Sequence, residues 1–348
     1  MPKIKKHIEI VYSTSKGLSS MGPKTALAIK NILKSDYTNV GITIVNGSHD
    51  LSMLAASQPD LVFLGMKFIP ENPELGIADA NKVWLSQYFE SQGILTTGSA
   101  KAAHELEFNK ALAKQRVIDG GLATSPFYVI PSNFTEIDRN LPFDYPVFIK
   151  PTNLGGGRGI DSNSLANSYD ELLSKVLSLA TSLFADSLIE KYLAGREFSV
   201  AILKVEHTEM YDVMPLELIA PLNDKGARIL TAKIKSADAE TFAAVTDVNL
   251  RDCVSTLAVN TFHALGARDF GRIDIRLDEF GVPHFLEANL IPSLMNGYGN
   301  FPKACWLNLG LSYTEMIHRI VRLGLARSAV EELEIVPALY SFVAAAAV

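Results

Sequence analysis

The residues of this sequence that could carry chemistry lie in two short runs of its C-terminal third, separated by a turn signal. Polar residues alternate with apolar ones in both runs, which predicts an antiparallel hairpin with one polar face. In that hairpin Asp274 should lie opposite Glu287, and Arg272 opposite Asn289. Such oxygen ligands suit magnesium, and the arginine suits a phosphate held by the metal. The alternative is the solvated polar face of a two-stranded ribbon.

A glycine-rich run follows a predicted strand, 146–151, near whose end Lys150 lies. Glycine lets the backbone approach phosphates closely and turn its amides toward them, and the lysine adds a positive charge. The run is neither a Walker A motif nor a Rossmann fingerprint, so a glycine-rich hairpin without a ligand remains the alternative. The glycines of this run are Gly155, Gly156, Gly157 and Gly159.

The segment between two further predicted strands, 187–192 and 197–203, could present backbone groups to an adenine ring. Glu197, at the start of the second strand, could accept hydrogen bonds from ribose hydroxyls. The alternative is an ordinary surface connection between strands.

Composition describes a globular protein of two or three domains, because 348 residues exceed the usual size of one core. A net charge of −6 argues against nucleic acid as a partner. The two cysteines, Cys253 and Cys305, suit a reducing cytoplasm. We expect no membrane span, because no apolar run reaches 18 residues, and the N-terminus resembles a strand, not a signal peptide.

The order of predicted elements indicates a doubly wound α/β domain in the first hundred residues, followed by α+β regions. A helix is expected to follow this domain and end before two glycines, and a terminal helix and a low-complexity tail close the chain. The predicted strands are 8–12, 40–45, 61–65, 94–96, 146–151, 187–192 and 197–203, with the hairpin after them, and the predicted helices are 24–33, 81–92, 101–119, 169–183 and 313–323.

Taken in order, these motifs resemble the ATP-grasp superfamily, and most closely its D-alanine–D-alanine ligase branch. The resemblance extends over about residues 80–325 and is strongest over 264–274. The motifs that carry it are Phe108-Asn109-Lys110, Lys150 with the glycine-rich run, Glu190-Lys191, Gly195-Arg196-Glu197-Phe198, and the hairpin through Leu286-Glu287-Ala288-Asn289.

The resemblance implies an ATP-grasp fold with an N-terminal α/β domain (1–105), a central subdomain (106–195), a C-terminal subdomain (196–330) and a tail (331–348). It implies that ATP lies between two antiparallel sheets. In similar enzymes a substrate carboxylate attacks the γ-phosphate to form an acyl phosphate, and an amine then displaces phosphate to form an amide. A homodimer is the expected assembly, and the expected substrates are amino-acid-like or carboxylate small molecules.

The resemblance also implies roles for individual residues. Asp274, Glu287 and Asn289 are expected to hold magnesium, or manganese in its place. Arg272 is expected to stabilise the transferring phosphoryl group, and Lys233, from a partial match at 229–234, to reach the γ-phosphate. The residues expected to bind ATP are Lys110, Lys150, the four glycines, Glu190, Lys191, Leu193 and Glu197.

The sequence departs from the family where substrates should bind. The turn after the first strand, with Ser13 and Ser15, has no carboxylate for a substrate ammonium, and residues 65–70 lack the family's His-Gly element. The final loop differs too, and from it Ser293, Asn296 and Tyr298 are expected to contact substrate. We therefore predict a ligase with a different substrate pair. The alternatives are an ATP-grasp carboxylase or kinase-like enzyme, and a nucleotide-binding protein without catalysis.

Overall fold

The computed structural model describes residues 2–223, 226–231, 233–234, 237 and 239–334, with side chains to residue 327 in the last helix. The strands are β1 Ile4–Tyr12, β2 Tyr37–Ile44, β3 Leu61–Leu64, β4 Phe68–Pro70, β5 Lys82–Trp84, β6 Leu95–Thr96, β7 Phe127–Ile130, β8 Val147–Pro151, β9 Leu165–Ala166, β10 Ser187–Lys191, β11 Glu197–Lys204, β12 Tyr211–Ile219, β13 Thr241–Ala244, β14 Phe270–Leu277 and β15 Pro283–Asn289. The helices are α1 Pro23–Leu33, α2 Ser48–Ala56, α3 Leu85–Glu90, α4 Lys101–Phe108, α5 Lys110–Asp119, α6 Tyr169–Leu183, α7 Val248–Ala264, α8 Asn300–Leu309 and α9 Tyr313–Glu334.

The first sheet is parallel, with the strand order β2-β1-β3-β6. Side chains of one face, including Ile10 and Phe63, pack against α1 and α9. Those of the other face, including Val62 and Leu64, pack against α2 and α3. Burial on both faces is why β3 is apolar throughout. The predicted doubly wound α/β arrangement is therefore confirmed.

Two larger antiparallel sheets follow in the chain, after a short antiparallel pair formed by β4 and β5. The central sheet has the order β7-β10-β8-β9 and packs one face against α6. The C-terminal sheet has the order β13-β12-β11-β14-β15, and α7 covers one of its faces. Part of its other face packs on α8 and α9, and α9 also contacts β3 and β6 of the first sheet. The predicted combination of an α/β sheet with two α+β sheets is present.

Several predicted element bounds are wrong. Residues 81–92 contain β5 and then the short α3 instead of one helix, because β5 pairs with β4. The helix predicted over 101–119 is broken at Asn109, whose Oδ1 accepts hydrogen bonds from the Ala111 and Leu112 amides and starts a new helix. The terminal helix continues past 323 to Glu334, while residues 335–348, most of the predicted tail, lie outside the described residues.

No helix in the described part of the chain combines the length and the apolar composition that crossing a membrane requires.

Core packing under the C-terminal sheet can be tested at Phe270, which is 1% exposed and packs edge-on against Phe301 with ring centroids 5.8 Å apart. Phe270→Ala should destabilise the protein by about 3–5 kcal/mol, because it removes buried apolar contacts and leaves a cavity. The matched control is Phe280→Ala, since Phe280 is 84% exposed and its loss should cost less than about 0.5 kcal/mol. Urea unfolding midpoints measure both, and equal shifts would contradict the packing described.

Candidate active site

A cleft of about 540 Å³ lies between the two antiparallel sheets. Lys150 of β8 and Glu190 of β10 line it from the central sheet, and Arg272 of β14 lines it from the C-terminal sheet. The loop after β1 and the segment after β3 close one end of it. This end lies at the carboxyl ends of parallel strands, where open α/β sheets usually bind ligands.

The hairpin of β14 and β15 has the predicted register. Asp274 pairs with Glu287 and Arg272 pairs with Asn289. The register shifts immediately after Asp274, where Ile275 pairs with Phe285, so Leu286 is the extra residue of a bulge. All four polar residues, together with Leu286, line the cleft. The polar row is thus the wall of a cleft and not a solvated ribbon.

Arg272 and Asp274 form a bidentate ion pair, with Nε–Oδ1 and Nη2–Oδ2 distances of 2.9 Å. Asp274 also accepts hydrogen bonds from Ser199 Oγ at 2.9 Å and Asn289 Nδ2 at 3.2 Å. Burial acts against the charge on Arg272, but the neighbouring carboxylate outweighs it and raises the pKa of the guanidinium. Arg272 therefore keeps its positive charge at any physiological pH.

Asp274, Glu287 and Asn289 have the chemistry of a magnesium site, because all three carry hard oxygen donors on facing strands. Only two of them are acidic, and within the described residues no group of three or more His, Cys, Asp or Glu side chains is arranged to hold a metal ion. A cation would have to replace one of the present contacts of Asp274. Asn289 is suited to this exchange, since its side chain carries an oxygen as well as the nitrogen that Asp274 now accepts from.

The central sheet carries a buried cluster of opposite charges. Glu190 Oε1 lies 2.6 Å from Lys114 Nζ, and Glu190 Oε2 lies 2.8 Å from Lys150 Nζ. Burial disfavours the carboxylate, but the two lysines outweigh burial and lower the pKa of Glu190. Burial likewise acts against the Lys150 charge, but Glu190 outweighs it and raises the Lys150 pKa. The Glu190 carboxylate is thus already paired with two lysines. The sequence analysis expected Glu190 to bind ATP and did not predict these ion pairs.

Lys114 is a residue that the sequence analysis missed. It is fully buried, and its ammonium also donates to Thr124 Oγ1 at 2.7 Å and Ser125 Oγ at 3.1 Å. Burial lowers its pKa to about 8. The available signal was its position four residues after Lys110 on one helix, which places both lysines on the same face.

Lys110 lies in a smaller cavity beside the main cleft, together with Gly155, Glu287 and Asn289. Its Nζ donates to Leu154 O at 2.8 Å and lies 3.8 Å from Glu287 Oε2. Burial lowers its pKa to about 8. The helix break at Asn109 places Lys110 at the first residue of α5, directed between the two sheets.

The segment between β10 and β11 lies along the same cleft. Lys191, Leu193 and Glu197 all line it, as predicted for a ligand contact surface. Glu197 Oε2 lies 3.1 Å from Arg276 Nη1, and the Arg276 guanidinium lies over the ring of Tyr192. The Glu197 carboxylate is therefore held in a fixed orientation.

The glycine-rich run divides into two parts. Gly155 and Gly156 line the cleft, whereas Gly157 and Gly159 do not. Gly159 has a φ of +76°, and a Cβ there would lie 2.7 Å from Pro151 Cγ, so its contribution is to close packing. Arg158, from the same run, lines the cleft and was not predicted.

The predicted substrate residues are only partly brought together. Ser293 and Tyr298 line the cleft, while Asn296 is exposed outside its lining. Ser13 is buried and donates to Asn46 Oδ1 at 2.7 Å, and its Oγ accepts from the Ser15 amide at 3.0 Å. Neither serine lines the cleft, which is instead reached by residues 17–20 of the same loop.

Lys233, predicted from the partial lid motif, is exposed and does not line the cleft. Its neighbour at position 232 lies outside the described residues.

Lys67 and Glu107 form a further pair that the sequence analysis did not identify as a site. Lys67 lines the cleft, and its Nζ lies 2.7 Å from Glu107 Oε1. Glu107 is buried and also accepts from the Leu290 amide at 2.8 Å, directly after β15. Burial acts to raise the Glu107 pKa, but Lys67 and His104 together outweigh it, and the pKa is lowered. Lys67 is therefore fixed at the β15 edge of the cleft.

We compared the sequence and the fold with those of known proteins. The family model described as D-ala D-ala ligase C-terminus matches residues 119–322. An uncharacterized protein, y4sG, of Sinorhizobium fredii is 30% identical over 236 residues, which are 67% of this chain and 67% of that protein. A D-alanine–D-alanine ligase of Methylacidiphilum infernorum is 29% identical over 236 residues, covering 68% of this chain and 72% of that enzyme.

Among solved structures, the fold is similar to that of D-alanine–D-alanine ligase from Bacillus anthracis complexed with ATP, with a TM-score of 0.69 at 17% identity over 94% of this chain and 99% of that one. The D-alanine–D-alanine ligase from Coxiella burnetii gives a TM-score of 0.65 at 15% identity, covering 95% and 97% of the two chains. The fold class predicted from the sequence is thereby confirmed. Because the family model covers more than half of the chain, this protein belongs to the D-alanine–D-alanine ligase family of ATP-dependent, ATP-grasp ligases.

Proposed function

We propose that this protein is a carboxylate–amine ligase that uses ATP and magnesium and joins a substrate pair other than two D-alanines. The observation that carries the proposal is the polar row of Arg272, Asp274, Glu287 and Asn289 along one wall of the cleft, with Lys150 on the facing sheet. Binding alone would not require a buried arginine beside two carboxylates. Phosphoryl transfer does require charge at that place.

The proposed reaction begins when a substrate carboxylate oxygen attacks the γ-phosphorus of ATP and ADP leaves. An amine nitrogen then attacks the acyl carbon, phosphate leaves, and the amine proton passes to solvent. Lys110 and Lys150 would bind phosphate oxygens, and Arg272 would stabilise charge on the transferring group. Asp274, Glu287 and Asn289 would hold magnesium, which when bound supplies positive charge to the phosphates.

Each of the two antiparallel sheets contributes one cation that is held in place by a carboxylate. Lys150 keeps its charge because Glu190 pairs with it, and Arg272 keeps its charge because Asp274 does. Both cations are therefore oriented before any ligand binds, and little reorganisation is needed when charge moves. We further propose the functional units 1–105, 106–195 and 196–330, which contain the three larger sheets in order.

The proposed function can be tested by measuring ADP release from ATP and magnesium with paired carboxylate and amine substrates. We expect release that requires both substrates, and little with D-alanine as the only amino acid, because the turn after β1 has no carboxylate to hold its ammonium. Rapid turnover with D-alanine alone would contradict the substrate part of the proposal. ADP release independent of any amine would favour a kinase-like enzyme or a carboxylase, and ATP binding with no ADP from any pair would favour a non-catalytic protein.

Arg272→Lys should lower kcat by about 100- to 1000-fold, because lysine keeps the charge but loses the bidentate geometry beside the reacting phosphoryl group. The Kd for ATP should change by less than about threefold if Arg272 acts mainly in the transition state. Arg251→Lys is the matched control, since Arg251 is exposed and does not line the cleft. A parallel loss of ATP affinity and kcat would contradict the assigned role.

The lowered pKa of Lys110, about 8, predicts a pH dependence. Above that pH the lysine of the free enzyme becomes neutral and no longer attracts phosphates, so kcat/KM for ATP should fall between pH 8 and 10. Arg in place of Lys110 stays charged over this range, so Lys110→Arg should remove most of the decline. A flat wild-type profile would contradict the prediction, and a decline that persists in the variant would assign it to another group, such as Lys114.

A further inference from the structure

Two cations line the end of the cleft that the N-terminal sheet closes. Arg158 comes from the glycine-rich run and Lys67 from the segment after β3. The loop from Gly17 to Ser20 lies between them. A Cβ added to Gly17 would lie 2.6 Å from Arg158 Nη1, and Ser19 forms a bridge with Met66, next to Lys67. The loop that should face the first substrate therefore lies against both cations.

The Arg158 guanidinium has charge to offer a ligand. Its Nη1 is buried and has no hydrogen-bond partner among the described residues. A buried N–H without a partner loses its hydration without compensation, and this cost is recovered when a ligand acceptor binds. Arg158 also lines the cleft itself, so an anion in the cleft can reach it.

Lys67 is fixed in place but retains donor capacity. Glu107 Oε1 accepts one of the three donors of its ammonium, at 2.7 Å. The side chain remains 26% exposed where it lines the cleft. Because Glu107 also accepts from the Leu290 amide and lies 3.2 Å from His104 Nδ1, it is the anchor of Lys67 and not a site for a substrate ammonium.

Most of the carboxylates that line the cleft have cations of their own, and Glu287 of β15 lies in the smaller cavity that Lys67 also lines, 3.8 Å from Lys110 Nζ. Asp274 is paired with Arg272, Glu197 with Arg276, and Glu190 with two lysines. Glu240 precedes β13, which is the opposite edge of the C-terminal sheet from β15, where Lys67 is anchored. Lys67 and Lys110 offset Glu107 and Glu287, so the charge of Arg158 leaves the end of the cleft that the first sheet closes positive.

We propose that the acyl donor is a dicarboxylic acid, with one carboxylate activated by ATP and the second bound by Arg158 and Lys67. The inference rests on the proposed ligase function and gives the substrate class of the same site. The second carboxylate takes the place that the ammonium has in an amino-acid donor. Arg158 and Lys67 would attract this carboxylate and would repel an ammonium.

The test uses hydroxylamine as the amine, so that the natural acceptor need not be known. The activated carboxylate of the donor attacks the γ-phosphorus and ADP leaves. Hydroxylamine nitrogen then attacks the acyl carbon, phosphate leaves, and a proton passes to solvent, leaving a hydroxamate that ferric iron makes visible. The donors are malonate, succinate and glutarate, compared with butyrate and β-alanine. The last two match succinate in chain length but end in a methyl group and an ammonium.

We expect kcat/KM for the best dicarboxylate to exceed that of butyrate and β-alanine by about tenfold or more, the usual effect of a hydrogen-bonded charge pair. In Arg158→Leu this ratio should fall by about tenfold, and Arg158→Lys should restore part of it. Lys67→Gln, which keeps a donor toward Glu107, should lower the ratio as well. Arg251→Leu is the charge-matched control outside the cleft and should leave the ratio unchanged.

Equal or better use of β-alanine or D-alanine than of every dicarboxylate would overturn the inference while leaving the ligase function in place. An unchanged ratio in folded Arg158→Leu, with folding verified by its urea midpoint, would also overturn it. If no dicarboxylate yields hydroxamate while another carboxylate does, the inference fails alone. If no carboxylate and amine pair yields ADP, the proposed function fails and the inference fails with it.

Discussion

The structure depends on one buried ammonium, that of Lys114. It lies 2.6 Å from a carboxylate of the central sheet, at Glu190, and 3.4 Å from a main-chain carbonyl of the C-terminal sheet, at Phe285. The connector before β7 joins the same contact, because Thr124 Oγ1 donates to Phe285 O at 2.7 Å and the Phe285 amide donates to Ala123 O at 2.9 Å. A fully buried charge is tolerated only when all of its partners are in place. Burying Lys114 therefore fixes the two walls of the cleft relative to each other.

The two cations on the facing walls of the cleft are also paired with carboxylates. Lys150 on one wall and Arg272 on the other each have a carboxylate partner, so neither of these two cations is buried and unpaired in the absence of a ligand. A nucleoside triphosphate that entered with a divalent cation would meet groups that are already oriented. In our proposal, the two wall cations act on phosphate oxygens, and the polar face of the hairpin acts on the metal.

At the N-terminal end of the cleft, the protein differs most from what its family resemblance implied. Ser13 and Ser15 are engaged within the loop and with Asn46, and the surface presented to the cleft consists of the following residues, 17–20, with Arg158 against them. In our proposal, reaction chemistry and substrate choice are therefore carried by different parts of the fold. The hairpin belongs to the C-terminal sheet. The end of the cleft that the first sheet closes is instead formed by loops of that sheet and by the glycine-rich run.

The sequence by itself determined the features that depend on local periodicity. Alternation of period two and the turn at 278–281 were enough to predict that Asp274 faces Glu287, because hydrogen bonding between adjacent strands leaves few registers open. Only the tertiary structure decided which charged side chains on different elements form ion pairs. The Lys114–Glu190 and Lys67–Glu107 pairs join residues 76 and 40 positions apart, the differences of their residue numbers, and no local pattern encodes such distances. The packing role of Gly159 was also decided by tertiary structure, because a Cβ there would meet Pro151 of β8 and two leucines of α6. The helix break at Asn109 is instead a local effect of its side-chain cap.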